Sequence, residues 1–288
     1  MSGETRAPMV IRYRLPDDIE TISLSAHNPN WRTTANDFGD FPEWDFAMCR
    51  PFEVLGEDDL AYFREVIEAK QHKAFVSKRS ITLRGDPELC GLTGTPALES
   101  VVSKIAGVKL RAHPVVIEHA HVNFQHVSGQ KDAFAADRTS VDDWHYDYVP
   151  FVFIMMISKS ADTEGGRLLT DYDPVDLRPG EGVLMQGSHV RHCAQKATSG
   201  NRITMVVSFV MDSPELKDTT RILAGQPPFS PDEPIEALAL RHRYDRLRQQ
   251  CERLLETADA DELKRNGDLI GSLEDDLYRW GQIANGDS

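Results

Sequence analysis

Two histidines, an aspartate and an arginine are the residues of this sequence whose types and spacing could do chemistry. His145 and Asp147 form a His-x-Asp pair, His192 follows about 45 residues later, and Arg202 comes ten residues after that. Two imidazoles and one carboxylate can hold a divalent metal ion on one face and leave the opposite coordination positions open. A buried arginine nearby can clamp a carboxylate with two parallel hydrogen bonds. The set predicts a redox metal centre, typical of iron, beside a binding place for a small carboxylic acid.

The local sequence indicates how these side chains would meet. On an extended strand, residues i and i+2 point to the same face, so His145 and Asp147 project together while Tyr146 turns the other way. An apolar strand is expected directly after the pair, which would place the pair at the mouth of a barrel. His192 lies shortly after another expected strand, which could bring its imidazole to the same ion.

Other histidines compete for these roles. His189 could also place an imidazole at a turn, but the distance to Arg202 favours His192. The pair His119-x-His121 suits a cupin-type metal site, yet that pattern requires a glutamate a few residues later, and here the sequence reads Val-Asn-Phe-Gln. We therefore expect His119 and His121 to be structural or to line the pocket. For any His-x-Asp pair taken alone, a surface or capping role is the alternative to metal binding.

The central part of the chain predicts antiparallel β-structure. Short segments rich in β-branched or aromatic residues are separated by Gly, Pro or Asp clusters, which is typical of a barrel or jelly roll. The expected strands are Val115 to Val127, Pro150 to Ser158, Arg167 to Thr170, Gly182 to Gln186 and Ile203 to Met211. The predicted fold class is mainly β with flanking helices: a jelly-roll core followed by a C-terminal helical hairpin.

Helical periodicity appears on both sides of this core. Helices are expected from Glu57 to Phe75 and from Pro96 to Ile105, the second ending at or just before Gly107. Beyond about Pro231, apolar residues step by four and three in two further helices: Leu240, Tyr244, Leu247, Cys251 and Leu254, then Ile270, Leu273, Leu277 and Trp280. The two stripes predict a hairpin packed on the barrel, with a homodimerisation seam as the alternative.

The N-terminal part, roughly the first 55 residues, is rich in Pro, Asn, Asp and aromatic residues and shows little periodicity. Its aromatic residues could shape a lid or pack onto the barrel; they are Trp31, Phe38, Phe41 and Trp44. We expect one integrated domain, in which residues 1–110 cover the core, residues 111–212 form the catalytic core and residues 213–288 form a helical extension.

Composition restricts the class of protein. The formal net charge is -14, from 32 basic and 46 acidic residues, and an acidic surface argues against nucleic acid or an anionic membrane as the main partner. No apolar run of around 18 residues and no signal peptide is evident. The four cysteines lack metal-finger spacing, as expected of reduced thiols. The sequence therefore predicts a soluble, cytoplasmic protein.

In the order of its site residues, the chain resembles the Fe(II)/2-oxoglutarate-dependent oxygenase superfamily, whose fold is a double-stranded β-helix (a distorted jelly roll). The resemblance covers roughly Val115 to Val210, and His145, Asp147, His192 and Arg202 match the family's His-x-Asp, distal His and Arg. It implies that the first three bind Fe(II) and that Arg202 pairs with the far carboxylate of 2-oxoglutarate. It further implies O₂ as co-substrate and ascorbate as a reductant in vitro.

Further residues are candidates for cofactor contacts. Thr204, two positions after Arg202 and on the same strand face, matches a hydroxyl residue that also touches the cofactor carboxylate in the family. Asn123 and Gln125 share a strand face and could bind cofactor or substrate, or merely join a core network. His126, in the segment His-Val-Ser-Gly, stands where family members often have a tyrosine that reaches the cofactor.

The candidates for substrate contact are Arg79, His126 and Tyr148. Arg79 and Arg84 belong to a basic segment from Lys73 to Arg84. One of these two arginines could hold a substrate carboxylate, and a solvated positive face is the alternative.

Together these residues predict an oxygenase that hydroxylates, desaturates or cyclises a small molecule, such as an amino acid or a natural-product intermediate. Two other classes stay open. One is a protein side-chain hydroxylase of the same superfamily, which would use the C-terminal helices to dimerise or dock. The other is a non-catalytic jelly-roll binding protein whose histidines are structural.

Overall fold

The structure, a computed structural model, describes residues 10–37, 39–76, 81–126, 140–213, 216 and 235–256. Its strands are β1 (Thr21–Ser23), β2 (Phe46–Cys49), β3 (Phe52–Glu53), β4 (Phe75–Val76), β5 (Ile81–Arg84), β6 (Leu110–Ala112), β7 (Ala120–His126), β8 (Phe151–Lys159), β9 (Leu168–Thr170), β10 (Glu181–Met185), β11 (His192–Ala194) and β12 (Asn201–Met211). Its helices are α1 (Leu24–His27), α2 (Glu57–Lys70), α3 (Pro87–Thr93), α4 (Pro96–Ala106), α5 (Val116–His119) and α6 (Ile235–Glu256).

Two antiparallel sheets form the core. The large sheet has the order β1-β2-β10-β8-β12-β7-β5-β4, with β3 beside β10 and β6 beside β12, and β9 and β11 form the small sheet. The small sheet faces the large one, since Thr170 Oγ1 of β9 lies 4.0 Å from Met48 Sδ of β2. Ala197, just after β11, likewise donates its N–H to Gln125 Oε1 of β7 at 3.0 Å. The predicted fold class, mainly β with a jelly-roll core and flanking helices, is confirmed.

The two faces of the large sheet differ in character. Successive side chains of a strand alternate between the faces. On β12, Met205 and Val207 are buried in the apolar cluster that α2 joins through Phe63. Arg202 and Thr204 point the other way, toward the small sheet. The interior between the sheets is therefore where polar side chains of β12 are buried.

A β-bulge lies next to Arg202. The pairing of β12 with β8 shifts register between Ile203 and Thr204, which leaves Ile157 of β8 without an opposite residue. Arg64 of α2 donates its Nε–H to the Ile157 carbonyl at 2.8 Å, so the carbonyl freed by the bulge is paired. Bulges re-aim neighbouring side chains and are common beside functional sites.

The observed elements differ from the expected ones mainly in the first 120 residues. Residues 21–53 contribute β1, β2 and β3, although no period is visible in their sequence. Strands of two to four residues are too short to show alternation. Val116–His119 is helical, and the strand expected from Val115 begins only at Ala120. Helix α2 ends at Lys70, before the predicted Phe75. The division at residues 110 and 212 stays a prediction.

Two residues of the apolar stripe predicted for helix α6 lie at the surface. Tyr244 of the expected apolar stripe is 64% exposed, and Cys251 is also exposed. Among the described side chains of α6, the buried ones are His242, Arg246 and Gln250. Arg246 donates from Nη1 to the Met211 carbonyl at the end of β12 at 2.9 Å. Hydrogen bonding of the buried Arg246 guanidinium therefore holds this helix against the end of β12.

The rest of the predicted hairpin, with Ile270, Leu273, Leu277 and Trp280, lies outside the described residues. A dimerisation seam stays a prediction. None of the helices in the described part of the chain is long and apolar enough to cross a membrane.

Candidate metal centre

Three side chains meet just before the start of β8. His145 Nε2 lies 3.7 Å from Asp147 Oδ1, and His192 Nε2 lies 3.4 Å from Asp147 Oδ2. The two imidazole centroids are 4.5 Å apart. One donor atom of each residue lies within 4.8 Å of the others, and the described residues contain no second group of this kind. The structure thus brings together the three residues that the sequence singled out.

Backbone pairing causes this convergence. His145 and His192 form an antiparallel bridge, in which each N–H donates to the other's carbonyl at 3.0 Å. The Asp147 N–H donates to the Gly187 carbonyl at 2.9 Å. A Cβ at Gly187 would overlap the Asp147 carboxylate. Glycine is required at this position because the carboxylate occupies the space of a side chain.

The hydrogen bonds of both imidazoles orient them toward the centre. His145 Nδ1 lies 2.8 Å from the Asp143 carbonyl, and His192 Nδ1 lies 2.9 Å from the Val190 carbonyl. A carbonyl only accepts, so Nδ1 carries the proton and Nε2 presents its lone pair. Two Nε2 atoms and a carboxylate on one side fit a divalent metal ion that keeps open positions opposite.

The electrostatics of the trio favour an ionised Asp147. Burial alone would raise the pKa of Asp147, but His192, His145 and His121 together outweigh it and hold the pKa at about 2. Burial also opposes protonation of His145, yet Asp147 overcomes this and raises the pKa of His145. A metal ion at this centre would compete with protonation of His145, because only a neutral imidazole ligates.

The rival histidines lie elsewhere. His189 is outside the trio, and its Nδ1 lies 2.8 Å from Ser188 Oγ. His119 is buried, and its Nε2 lies 3.1 Å from Thr93 Oγ1. Burial lowers the pKa of His119 to about 4, as expected of a structural histidine. His121 lies on β7 opposite Val206 of β12 and Arg84 of β5, and a role in lining the pocket stays a prediction.

Arg202 is a buried cation. It is 4% exposed, and burial lowers its pKa to about 10, so it stays charged at neutral pH. Its Nε has no hydrogen-bond partner within the described ranges. Gly166, at φ 69°, lies over its side chain, and a Cβ there would be 2.9 Å from Arg202 Cδ. A buried charge requires a partner, and a ligand carboxylate fits this requirement.

The predicted cofactor residues share the interior face with Arg202. In the pairing of β12 with β7, Arg202 lies opposite Gln125 and Thr204 lies opposite Asn123. Thr204 is 2% exposed. Gln125 Oε1 already accepts from Ala197, so its carbonyl end serves the core network. A role of these residues in cofactor binding stays a prediction.

The predicted substrate residues are placed only in part. Arg79 lies outside the described residues, as does the side chain of His126, whose backbone pairs with Asn201 in β7 and β12. Tyr148 is half-buried in the turn before β8. Its contact with a substrate stays a prediction.

The N-terminal loop packs onto the core. Trp31 is buried, and Trp44 donates its Nε1–H to the Ala106 carbonyl at 2.6 Å. Asn36 donates from Nδ2 to the Ser188 carbonyl at 2.9 Å, so the loop supports the turn that precedes His192. Phe41 is 49% exposed, and Phe38 lies outside the described residues. Of the two alternatives for the N-terminal aromatic residues, a lid or packing onto the core, the structure shows packing for Trp31 and Trp44.

Sequence reasoning missed three supports of the site. The carbonyls of Asp143 and Val190 orient the imidazoles, and backbone groups leave no trace in residue types. The close approach of Gly166 to Arg202 was not predicted either, although a Gly-Gly pair can indicate that another group passes close to the backbone. Arg64, which pairs the bulge carbonyl, is one surface-like arginine among many in the sequence.

No protein-family model matches the sequence, and no curated protein is recognisably similar to it. The solved structures with similar folds are mostly 2-oxoglutarate-Fe(II) oxygenases. One is the non-heme alpha ketoglutarate dependent carbocyclase SnoK from nogalamycin biosynthesis, with 16% identity and a TM-score of 0.44 over 58% of this chain and 79% of that chain.

Two further similar structures differ in what they bind. EctD from S. alaskensis, solved with 2-oxoglutarate and 5-hydroxyectoine, has 12% identity and a TM-score of 0.43 over 78% of this chain and 91% of that one. A TET protein in complex with 5mC DNA has 15% identity and a TM-score of 0.41 over 58% of this chain and 73% of that one.

Proposed function

We propose that this protein is an Fe(II)- and 2-oxoglutarate-dependent oxygenase that oxidises a small-molecule substrate. One observation carries the proposal: His145, Asp147 and His192 converge on one centre, and the same interior buries Arg202, whose Nε has no hydrogen-bond partner among the residues that the structure describes. A metal-binding trio alone would equally suit a hydrolase. The buried cation adds a place for a carboxylate co-substrate, which a hydrolase does not require.

The trio would hold Fe(II) through His145 Nε2, His192 Nε2 and one oxygen of Asp147. Fe(II), together with 2-oxoglutarate and O₂, supplies the oxidising power when bound. The protein's own part is positioning. Carbonyls fix both imidazoles, and the Gly187 carbonyl fixes the Asp147 backbone, so the three donors need no rearrangement to bind the ion.

Arg202 would pair with the far carboxylate of 2-oxoglutarate, with the Thr204 hydroxyl on the same strand face. A guanidinium suits a carboxylate because its two N–H groups match the two oxygens. Pairing would also relieve the cost of burying this charge in the unliganded protein.

Apolar side chains on the same face would keep water away. By register, Met156 of β8 lies opposite Thr204, and Ile154 lies opposite Val206. Met156 and Ile154 are buried. A dry interior around the centre protects reactive species from side reactions with water.

A small molecule is the substrate class that the charge favours. The net charge of -14 would repel a nucleic-acid backbone. Hydroxylation, desaturation and ring closure differ only in how the substrate is held beside the centre.

Release of labelled CO₂ from carboxyl-labelled 2-oxoglutarate tests the proposal. The wild type, supplied with Fe(II), ascorbate and O₂, should release it, and release should rise with a true substrate from a small-molecule panel. Asp147→Ala and Arg202→Met should each lower release by at least about tenfold. His189→Gln is the matched control and should retain activity. An iron-loaded wild type that releases nothing across a broad panel, or an Asp147→Ala variant with wild-type turnover, would contradict the proposal.

A further inference from the structure

A second polar group lies on the interior face of the large sheet. Thr82 and Arg84 belong to β5, and their pairing with β7 places Thr82 opposite Asn123 and Arg84 opposite His121. Directly opposite residues of an antiparallel pair share a face. Asn123 in turn lies opposite Thr204 of β12. Thr82, Arg84 and His121 therefore face the same interior as the proposed 2-oxoglutarate residues.

Each of these three side chains has a buried polar atom without a hydrogen-bond partner in the part of the chain that is described: Thr82 Oγ1, Arg84 Nε and His121 Nδ1. Thr82 as a whole is only 1% exposed. Buried polar atoms are nearly always paired in folded proteins. Three unpaired atoms on neighbouring positions of two strands indicate that a ligand pairs them.

The positive charge of this group comes from Arg84. Burial, and secondarily Arg84, lowers the pKa of His121 to about 3, so the imidazole is neutral at physiological pH. Glu118 lies within electrostatic range of both Arg84 and Asp147, and burial raises its pKa. One guanidinium, one hydroxyl and one neutral imidazole form a site for a singly charged anion.

The group lies at the metal end of the interior. The charges of both Arg84 and Asp147 act on His121, so His121 lies near the arginine and near the trio. A ligand anchored on Arg84 would thus extend toward the metal centre.

Arg202 serves a different part of the interior. Its partner Gln125 is four positions along β7 from His121, which is roughly 13 Å of strand. Strands β12 and β5 also lie on opposite sides of β7. The acids that influence Arg202 are Asp176 and Asp142, whereas the acid that Arg84 influences is Glu118. One short diacid on Arg202 would leave Arg84 available.

We propose that Arg84, Thr82 and His121 form a subsite that binds the carboxylate of the substrate, so that the substrate is a small carboxylic acid. This inference rests on the proposed function, because it places that carboxylate beside the proposed iron centre. The guanidinium binds the two oxygens in parallel and the Thr82 hydroxyl donates a further hydrogen bond. A doubly charged phosphate is disfavoured because Glu118 and Asp147 lie nearby.

Saturation-transfer NMR with propionate as the probe tests the subsite. The full chain is loaded with redox-inert Zn(II), and propionate is titrated with and without saturating 2-oxoglutarate. Propionate should bind the wild type in both cases, while propionamide should not. Arg84→Met should weaken propionate binding by at least about tenfold, because a charge-assisted pair is lost. The near-isosteric Thr82→Val, which keeps the fold, should weaken it by a smaller factor.

The controls separate this inference from the proposed function. Lys73→Met removes an exposed cation of the same basic segment, one that lies 3.8 Å from Asp86, and should leave propionate binding unchanged. Arg202→Met should lose 2-oxoglutarate binding and keep propionate binding. Retained 2-oxoglutarate affinity in Arg84→Met would show that this variant folds.

Three results would overturn the inference: equal propionate binding by wild type and Arg84→Met, no saturable propionate binding by the wild type, or tighter binding of inorganic phosphate than of propionate. Failure of the proposed function would look different. In that case no labelled CO₂ would be released, and Arg84-dependent propionate binding would persist.

Discussion

Side chains at this site are held by groups that do not take part in the chemistry. His145 and His192 each use Nδ1 on a backbone carbonyl, so their other nitrogens are committed to the centre. Arg202 is the opposite case, since its buried Nε has no partner among the described residues. The trio is preorganised at little cost, whereas the arginine costs stability until an anion arrives. These two situations lead to different expectations for substitutions.

Metal affinity should separate the two candidate histidines. His192→Ala removes one of three donors and should weaken Mn(II) binding by more than about 100-fold. His189→Gln should bind Mn(II) as the wild type does, because His189 is engaged with Ser188 instead. Calorimetric titration of the metal-free protein measures both. The reverse order of affinities would assign the third ligand to His189.

Arg202→Met should have opposite effects on stability and binding. Urea unfolding should show an unchanged or higher free energy of unfolding, by up to about 2 kcal/mol, because an unpaired buried charge is removed. Affinity for 2-oxoglutarate should fall by about 10- to 100-fold.

The comparison variant for this experiment is Arg64→Met. Arg64 is also partly buried, but it pairs the Ile157 carbonyl. Its loss should lower stability by about 1–3 kcal/mol without a matching loss of 2-oxoglutarate affinity. If Arg202→Met destabilised the unliganded protein as much as Arg64→Met does, the arginine would have a structural role instead.

Among the elements, α5 and β7 show how a short helix and a strand share one apolar segment. The sequence from Val115 reads as a strand throughout, yet α5 ends at His119 before β7 begins. His119 is buried at this junction, with Nε2 3.1 Å from Thr93 Oγ1 at the end of α3. This contact joins α3 to the start of the strand that carries His121. The junction therefore supports the interior face indirectly.

Stability should depend on pH through His119. Burial lowers its pKa from 6.5 to about 4, so between these values the unfolded chain binds a proton that the folded protein excludes. The stabilisation is complete above pH 6.5 and is lost as pH falls toward 4, by roughly 3 kcal/mol in total. As pH falls from 6.5 to 4, the free energy of unfolding of the wild type should decrease by this amount more than that of His119→Gln. Replacement of the exposed His72 by Gln is the control and should leave the pH dependence of the wild type unchanged. If the free energies of unfolding of wild type and His119→Gln had the same pH dependence, His119 would not be its source.

The whole molecule is a jelly roll whose strands come from both halves of the described chain. The large sheet places β7, β12 and β8 side by side, so residues more than 70 positions apart in sequence, such as Gln125 and Arg202, meet on one face. Metal binding at the mouth should thus stabilise the fold as a whole, because the trio joins the turn before β8 to the small sheet.

Metal should raise global stability, and acid should weaken the effect. With free Mn(II) at a hundredfold excess over its dissociation constant, the free energy of unfolding should rise by about 2.7 kcal/mol relative to the chelated protein. The gain should shrink as pH falls, because the raised pKa of His145 makes a proton compete with the ion. Denaturant unfolding with Mn(II) or EDTA measures this. An equal gain in Asp147→Ala would place the ion elsewhere.

Sequence alone was enough to single out His145, Asp147 and His192, which the structure brings together, and to predict the kind of core. His145, Asp147, His192 and Arg202 stand out because residue type and spacing along one chain are local information. The strands that became β8, β10 and β12 were visible because alternation and β-branched runs are local as well. The short strands before residue 55 carry too few residues to show a period.

Only the tertiary structure decided which faces and partners these residues have. The register of β5 on β7 turned Arg84 inward, and a slip of one residue would have turned it outward. The backbone bridge between His145 and His192 placed His192, rather than His189, beside Asp147, and the packing of α6 left Tyr244 and Cys251 exposed. Each of these outcomes depends on pairing between distant segments, which no pattern along the chain encodes.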